Sequence, residues 1–479
     1  LTPMPFERII WARSQSVFSP LRSREWSSDH WISVSPSRQF LFAGGFMKSL
    51  HFVSSLVVST ASRNSRFAMK LFATSLFLAA AILTLVCVFT QSASSQTFTA
   101  LYSFRGGPSD GSDSTAALVM DSQGNLYGTT QNGGTFNFGT VFKLAPNGTE
   151  TLLHNFGPYV SALNLADGSY PVAGLLMDAE GDLYGTTTNG GNPPCHYGCG
   201  MGFELSPSGA EKRFYDFAGW PSPNYPNAPL IADAQGNFYS TTFLGGSENS
   251  GSVFELAPNG TLTVLYSFCQ QSGCTDGFWP AGGVVMDKES NLYGTTPYGG
   301  MSNLSCGNGG CGTVFKVTPS GEETVLYAFA GYPTDGYDPV GGLVMDAQGN
   351  LYGTTQYGGT RDSGTVFKLT PNGTETILYT FCLNSSCPDG GGPSSNLILD
   401  AQGNLYGTTS CCGIYGKGVI FKLAPDGTQT VLYAFCPNNG CPDGQNPRAA
   451  LLMDSQGNLY GTTSFGGAYG HGTVFELTP

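Results

Sequence analysis

The side chains with the most evident chemistry are cysteines that recur in short pairs. The chain has 13 cysteines, and all except Cys87 lie in loops rich in glycine. The twelve are Cys195/Cys199, Cys269/Cys274, Cys306/Cys311, Cys382/Cys387, Cys436/Cys441 and the adjacent Cys411/Cys412. An even number of close cysteines predicts disulfides and an oxidising compartment. Zinc is the alternative, but Cys-x4-Cys without nearby histidine is poor zinc spacing, so we predict no metal at these pairs.

The connectivity of these cysteines stays open at the level of sequence. Pairing within each loop is the simplest arrangement, although neighbouring loops could exchange partners. Cys411 and Cys412 could close a strained eight-membered ring or pair elsewhere. Short bridges of this kind contribute less stability than long ones in the loop-entropy model. Their expected role is therefore to stiffen the loops.

A second set of candidate side chains is aromatic and acidic. Aromatic residues recur in the same variable loops, at Phe136, Phe138, Trp220, Trp279, Tyr298, Tyr357 and Tyr469. Aromatic platforms with polar neighbours suit sugar or peptide ligands, although the rings could instead cover the loops. Asp-Gly pairs begin at Asp110, Asp167, Asp276, Asp335, Asp389 and Asp443. They could form a ring of carboxylates that binds calcium, but turn chemistry is the favoured interpretation, and no cofactor is predicted.

Complete catalytic sets are missing from the sequence. After residue 96 histidine occurs only at His154, His196 and His471. His154 replaces a tyrosine of the repeat and is expected to be buried in a strand, whereas His471 could face solvent or a ligand. No Ser/His/Asp set, phosphate-binding glycine loop or metal-spaced histidine cluster is evident. We therefore predict no catalytic residues, and candidate ligand contacts at Trp279, Tyr298, Tyr357, Tyr469, His471 and Asp335.

The elements that must position these residues come from an internal repeat. The motif Asp-x-x-Gly-Asn-Leu-Tyr-Gly-Thr-Thr starts, with small departures such as Ser240 and Ser290 in place of glycine, at Asp121, Asp178, Asp233, Asp287, Asp346, Asp400 and Asp454, with spacings of 54 to 59 residues. Each unit predicts four strands, which in the fifth copy are 342–345 (A), 350–355 (B), 364–369 (C) and 375–381 (D). Tight turns with glycine join A to B and C to D. Seven such units predict an all-β, seven-bladed β-propeller with four-stranded antiparallel blades.

The two ends of the repeat region predict how the ring closes. The chain stops after strand C of the seventh unit, at 472–479, and the missing strand D is found at 97–104. An N-terminal strand that completes the last blade removes two exposed sheet edges. The predicted propeller therefore spans residues 97–479.

These motifs resemble a known bacterial repeat. The Asp-x-x-Gly-Asn-Leu-Tyr-Gly-Thr-Thr element, the Gly-Gly pair, Gly-Thr-Val-Phe-Lys-Leu and Asn-Gly-Thr-Glu-Thr are similar to the GloVer tandem repeat of choice-of-anchor bacterial proteins. The resemblance covers about residues 97–479 and implies an exported or surface protein of undefined activity. It supplies no catalytic residues. Many such proteins carry a C-terminal sorting segment, and this sequence shows none.

Blade topology separates two faces of the predicted propeller. The A–B and C–D turns share one face and are short and uniform. The B–C loops and D–A crossovers share the other face and carry all the variation in length, which is typical of binding loops on a rigid scaffold. All twelve cysteines and the aromatic residues above fall on this second face, which we call the loop face.

The N-terminal region predicts export. Met69-Lys70, the apolar run 71–89 and a small-residue exit at 91–96 are typical of a secretory signal peptide, with an uncleaved membrane anchor as the alternative. Residues 1–68 are predicted to be a non-native or disordered extension. We expect a secreted or cell-envelope protein, in the periplasm or outside the cell, with no membrane contact after cleavage.

The net charge of the repeat region restricts the classes of partner that it could bind. Residues 97–479 carry 11 basic and 30 acidic side chains, and this acidity disfavours nucleic acid. We expect a monomeric, non-catalytic binding module that holds a glycan, peptide or protein on the loop face. The alternative is an extracellular hydrolase or lyase that acts on polysaccharide or a small ester.

Overall fold

The structure is a seven-bladed β-propeller, as predicted. A computed structural model describes residues 96–157, 167–191, 195, 198–301 and 306–478. Each blade is one antiparallel sheet with its four strands in the order A-B-C-D. No α-helix occurs among these residues, and short 3-10 turns lie at Ser272–Cys274 and Gly307–Gly309. The extension predicted at 1–68 and the signal predicted at 69–96 lie outside the described residues, apart from Gln96.

The strands follow the repeat. The A strands are Val119–Met120, Leu176–Met177, Ile231–Ala232, Val285–Met286, Val344–Met345, Ile398–Leu399 and Leu452–Met453. The B strands are Leu126–Thr130, Leu183–Thr187, Phe238–Thr242, Leu292–Thr296, Leu351–Thr355, Leu405–Thr409 and Leu459–Thr463. The C strands are Thr140–Leu144, Met201–Leu205, Ser252–Leu256, Thr313–Val317, Thr365–Leu369, Val419–Leu423 and Thr473–Thr478.

The D strands complete the blades. They are Glu150–Asn155, Glu211–Asp216, Leu262–Ser267, Glu323–Ala328, Glu375–Thr380, Gln429–Ala434 and, for blade 7, Thr97–Ser103. Two further pairs of short strands join a crossover to the next B–C loop, Gly111–Ser112 with Asn132–Gly133 and Gly336–Tyr337 with Tyr357–Gly358.

The predicted closure is confirmed. Thr97–Ser103 pairs antiparallel with Thr473–Thr478, so the first strand of the propeller is the outer strand of its last blade. Phe104 continues past this strand, is fully buried, and packs edge-on against Phe142 of blade 1, with ring centroids 5.2 Å apart. An equivalent phenylalanine pair joins each of the remaining six pairs of neighbouring blades, for example Phe329 with Phe367 at 5.1 Å. The core is therefore a ring of aromatic pairs between blades.

The motif aspartate fixes each A–B turn. Asp346 accepts hydrogen bonds from the backbone N–H groups of Gln348 (2.9 Å) and Asn350 (2.8 Å), from the Asn350 side chain (2.7 Å) and from the Tyr352 hydroxyl (3.0 Å). Burial opposes ionisation of this carboxyl, but the hydrogen bonds from Asn350 outweigh it and lower the pKa of Asp346. The motif is thus a structural turn on the face opposite the loop face.

Candidate loop-face binding site

The loop face is built by the B–C loops and the D–A crossovers, and rigid blades position both. The B strand ends in Thr-Thr, and the second threonine, such as Thr355, shares a buried hydrogen bond with the first residue of strand C, Thr365 (2.8 Å). The Thr355 hydroxyl also donates to the carbonyl of Tyr357 at the start of the loop (2.9 Å). Each loop therefore leaves its blade from a fixed point.

The Asp-Gly carboxylates are part of this scaffold. Asp335 accepts hydrogen bonds from the Tyr327 hydroxyl (2.9 Å) and from the backbone N–H groups of Ala330 (2.7 Å) and Gly336 (2.6 Å). It is buried, with 6% of its surface exposed. The equivalent carboxylates at Asp110, Asp276, Asp389 and Asp443 bind the tyrosine at the end of strand D in the same way. The structure thus places Asp335 in a turn, the interpretation favoured over a calcium-binding ring of carboxylates.

The crossover from blade 1 to blade 2 shows the histidine variant of this turn. His154 stands at the tyrosine position and its Nε2 lies 3.4 Å from the Asp167 carboxylate. Asp167 also accepts from the backbone N–H groups of Gly157 and Gly168. His154 is mostly buried, as expected for a strand residue.

The cysteines pair locally in five of the six sets. Disulfides join Cys195–Cys199, Cys269–Cys274, Cys306–Cys311, Cys382–Cys387 and Cys436–Cys441. The prediction of a disulfide at the sixth set is wrong for this structure, in which Cys411 and Cys412 are thiols with their sulfurs 2.9 Å apart. Adjacent residues can be bridged only through a strained eight-membered ring, and neither sulfur has an unpaired cysteine elsewhere to join among the described residues.

The predicted aromatic residues divide into two groups. Tyr469 is exposed (55%), and so are Phe136 and Trp220. Trp279 and Tyr298 are half-buried in one cluster, where the Trp279 ring stacks on Phe243 (5.4 Å) and lies edge-on to Tyr298 (5.7 Å). Tyr357 stacks on Tyr337 at 5.4 Å. Neighbouring loop aromatics therefore cover part of the rings of Trp279, Tyr298 and Tyr357.

His471 lies at the edge of blade 7. It is exposed and stands against the crossover at Gly106, where an added Cβ would come within 2.8 Å of its ring. The neighbouring Tyr469 ring lies under the Arg105 guanidinium, 5.7 Å away. Across the part of the chain that the structure describes, the His471 side chain has no hydrogen bond to a carboxylate or hydroxyl.

The structure reveals an equivalent position in each crossover, of which only Trp279 was singled out from the sequence. At one position in each crossover the backbone is left-handed, with φ between 55° and 61°, at Asp113, Tyr170, Tyr225, Trp279, Asp338, Gly392 and Asn446. The N–H group of each donates to a carbonyl of the preceding blade, as from Trp279 to Ser250 (2.8 Å) and from Asp338 to Cys311 (3.1 Å). Positive φ is unfavourable for residues other than glycine and is often retained at functional sites. We call these seven residues the crossover ring.

The crossover ring is chemically divided. Blades 2, 3 and 4 contribute aromatic side chains, Tyr170, Tyr225 and Trp279, whereas blades 5, 6, 7 and 1 contribute Asp338, Gly392, Asn446 and Asp113. Burial raises the pKa of Tyr225. Burial also raises the pKa of Asp113, although the nearby Arg448 partly opposes this. Six of the seven residues directly precede a proline, and this pattern in the sequence could have indicated the crossover ring.

Comparisons with known proteins agree with the repeat. The family model of the Gloeobacter/Verrucomicrobia repeat matches residues 87–195, 158–306 and 304–479. Curated proteins give no match. Three solved structures resemble this chain at TM-scores of 0.36 to 0.43 and identities of 14% to 16%. These values carry no argument about activity.

Each match covers almost the whole length of the solved structure's own chain. A candidate gluconolactonase (14% identity, TM-score 0.36) matches over 80% of this chain and 92% of its own. A candidate oxidoreductase (glucose dehydrogenase) from Thermus thermophilus (15%, 0.37) matches over 80% and 100%. The periplasmic gluconolactonase of Pseudomonas aeruginosa (16%, 0.43) matches over 76% and 98%.

Proposed function

This chain belongs to the Gloeobacter/Verrucomicrobia repeat family, and from that premise we propose that it is an exported, non-catalytic binding protein that holds its ligand on the loop face. The loop face is favoured because it concentrates exposed apolar surface. Among the residues that the structure describes, nine of the ten exposed large apolar side chains lie in its loops: Phe136, Trp220, Met301, Tyr332, Leu383, Ile414, Tyr415, Phe465 and Tyr469. Exposed apolar surface gathered on one face is typical of interaction sites.

The crossover ring favours a glycan among the ligand classes. Sugar rings have apolar C–H faces that stack on aromatic side chains and hydroxyl groups that bond carboxylates and amides. The aromatic half of the ring, at Tyr170, Tyr225 and Trp279, supplies the first kind of contact. Half-buried Asn446 and Asp113 supply the second kind across the same face. A ligand lying across the ring would meet both halves at once.

Export is supported by the cysteine chemistry. Five disulfides are stable only where the surroundings are oxidising, as in the periplasm or outside the cell. None of the helical segments that the structure describes has the length and apolarity needed to span a membrane.

A glycan array probed with the full-length protein tests the proposal. We expect a retained, unmodified glycan, and we expect Trp279→Ala to weaken its binding by about tenfold or more, as typical for loss of a buried aromatic contact of about 1.4 kcal/mol. Val264→Ala is the matched control, because Val264 is the exposed apolar residue that lies outside the loop face, on strand D of blade 3. Trp279→Phe keeps an aromatic ring and should bind better than the alanine variant.

Three results would contradict the proposal. Equal loss of binding in Val264→Ala would show that the loop face is not the site. Capture of a protein partner with no glycan binding would show that the ligand is a protein and not a glycan. Release of a cleaved product, lost on His471→Ala, would favour the hydrolase or lyase alternative.

A further inference from the structure

Blade 6 departs from the repeat at a position where every other blade has glycine. In the other six blades the third residue after the Thr-Thr end of strand B is a glycine with φ between 79° and 91°. These residues are Gly133, Gly190, Gly245, Gly299, Gly358 and Gly466. In blade 6 this residue is Cys412, with φ 66°. A side chain in this region of backbone conformation is strained.

Space at this position is also short. A Cβ added at Gly358 would lie 2.4 Å from the carbonyl oxygen of Asp335, and one added at Gly133 would lie 2.5 Å from that of Asp110. Blade 6 therefore keeps a side chain where the fold resists one. Strain held at a single blade points to a role for that side chain.

The facing crossover is adapted to the two sulfurs. Gly391 pairs with Cys411, at a position where the other blades carry Ser112, Ser169, Asn224, Phe278, Tyr337 or Gln445. A Cβ on Gly391 would lie 3.0 Å from the Cys412 sulfur and 3.6 Å from the Cys411 sulfur. The lack of a side chain at Gly391 thus provides the room that the two thiols occupy.

The thiols stand beside a disulfide. The sulfurs of Cys382, Cys387 and Cys412 all lie within 4.8 Å of one another, and the Cys411 sulfur lies 2.9 Å from that of Cys412. The N–H of Gly413 donates to the Cys387 carbonyl (2.9 Å), which holds the loop against the crossover. A hydrogen bond from Cys411 lowers the pKa of Cys412, and the same contact together with burial raises the pKa of Cys411.

We propose that Cys382, Cys387, Cys411 and Cys412 of blade 6 form a thiol–disulfide exchange site. The Cys412 thiolate attacks one sulfur of the Cys382–Cys387 disulfide, forms a new S–S bond to it, and displaces the other cysteine as a thiolate. That leaving thiolate takes up the proton that Cys412 gave up. One disulfide and two thiols are present before and after, so the step needs no oxidant or reductant.

Blade 7 provides an internal control. Its crossover has the same spacing, with the Cys436–Cys441 disulfide, but the facing loop residues are Phe465 and Gly466. That disulfide has no neighbouring thiol among the described residues and should not exchange.

Disulfide mapping of the full-length protein tests the proposal. The protein is held near pH 8, its thiols are trapped with N-ethylmaleimide after acidification, and its peptides are mapped by mass spectrometry. We expect a fraction with Cys412 linked to Cys382 or Cys387 and the displaced cysteine labelled, while Cys436–Cys441 stays intact. Cys412→Gly, which copies the other blades and should fold, must abolish the exchanged species, whereas Cys411→Ser must retain it.

Either of two results overturns the proposal. One is complete Cys382–Cys387 linkage with both Cys411 and Cys412 labelled at every incubation time. The other is a quantitative Cys411–Cys412 disulfide, which would leave no attacking thiol.

Discussion

A buried glutamate between blades 4 and 5 offers a direct test of the packing. Glu375 begins strand D of blade 5, and its Oε1 atom is buried without a hydrogen-bond partner among the described residues. Burial, with a smaller contribution from the Asp335 carboxylate, raises its pKa from 4.5 to about 7. Glu150 and Glu323 stand at the same position of blades 1 and 4 and have the same raised value. Blade 6 has Gln429 there, whose side chain donates to the Asp389 carbonyl (3.3 Å).

The sign of the effect follows from proton binding. Between pH 4.5 and about 7 the unfolded chain has released the proton that folded Glu375 still holds, so the free energy of unfolding falls as pH rises across this window. Below pH 4.5 the Glu375 carboxyl is protonated in both the folded and the unfolded state, and above about pH 7 it is ionised in both. A shift of this size corresponds to about 3.4 kcal/mol at most, and because water reaches this half-buried side chain we expect about 1–2 kcal/mol.

Glu375→Gln removes the titration and copies blade 6. We expect the variant to be about 1–2 kcal/mol more stable than the parent at pH 8 and nearly equal to it at pH 4, measured as the difference in free energy from urea unfolding. Glu180→Gln, at an exposed side chain, is the control and should change the free energy of unfolding by less than about 0.5 kcal/mol. Destabilisation by Glu375→Gln at pH 8 would refute the reasoning, because it would mean that the ionised carboxylate is stabilising.

Three further predictions concern the repeat and its closure. Deleting residues 97–104 removes strand D of blade 7 and fully buried Phe104. Loss of the Phe104 side chain alone should lower the free energy of unfolding by about 3–5 kcal/mol. Unchanged thermal melting by circular dichroism would contradict the closure. Tyr352→Phe removes the hydrogen bond to Asp346 and should lower the free energy of urea unfolding by about 1 kcal/mol, whereas Tyr469→Phe, at an exposed ring, should not. Cys412→Gly relieves a positive φ and should raise the unfolding free energy by about 1 kcal/mol in reducing buffer; a less stable variant would show that the thiol packing outweighs the strain.

Most of the fold could be predicted because its signals are local and repeated. The aspartate of each A–B turn and the glycine that six of the seven turns carry act within a few residues, so seven copies of the motif indicate seven hairpins. The strand at 97–104 was identifiable as the missing partner of 473–478 because every other unit has a strand D. The five local disulfides follow from the same cause, since four or five positions separate their cysteines.

The candidate site was predicted less well because its contacts cross between units. The sequence places Asp335 in a variable crossover, but only the packed blades show that Tyr327 and two backbone N–H groups occupy its oxygens. Trp279 is identifiable as a loop aromatic, but its cover by Phe243 comes from the neighbouring loop. The crossover ring depends on a left-handed backbone and on hydrogen bonds to the preceding blade, which residue identities alone do not specify.

The sequence by itself determined the number of blades, the strand that closes the ring and the face that carries the variable loops. Those properties depend on turns and periodicity, which are encoded within each unit. Only the tertiary structure decided which side chains meet on that face, such as the Cys412 thiol beside the Cys382–Cys387 disulfide and the Trp279 ring against Phe243. The reason is physical, because closing the propeller brings loops of adjacent blades into contact, and these contacts depend on packing distances of a few ångströms.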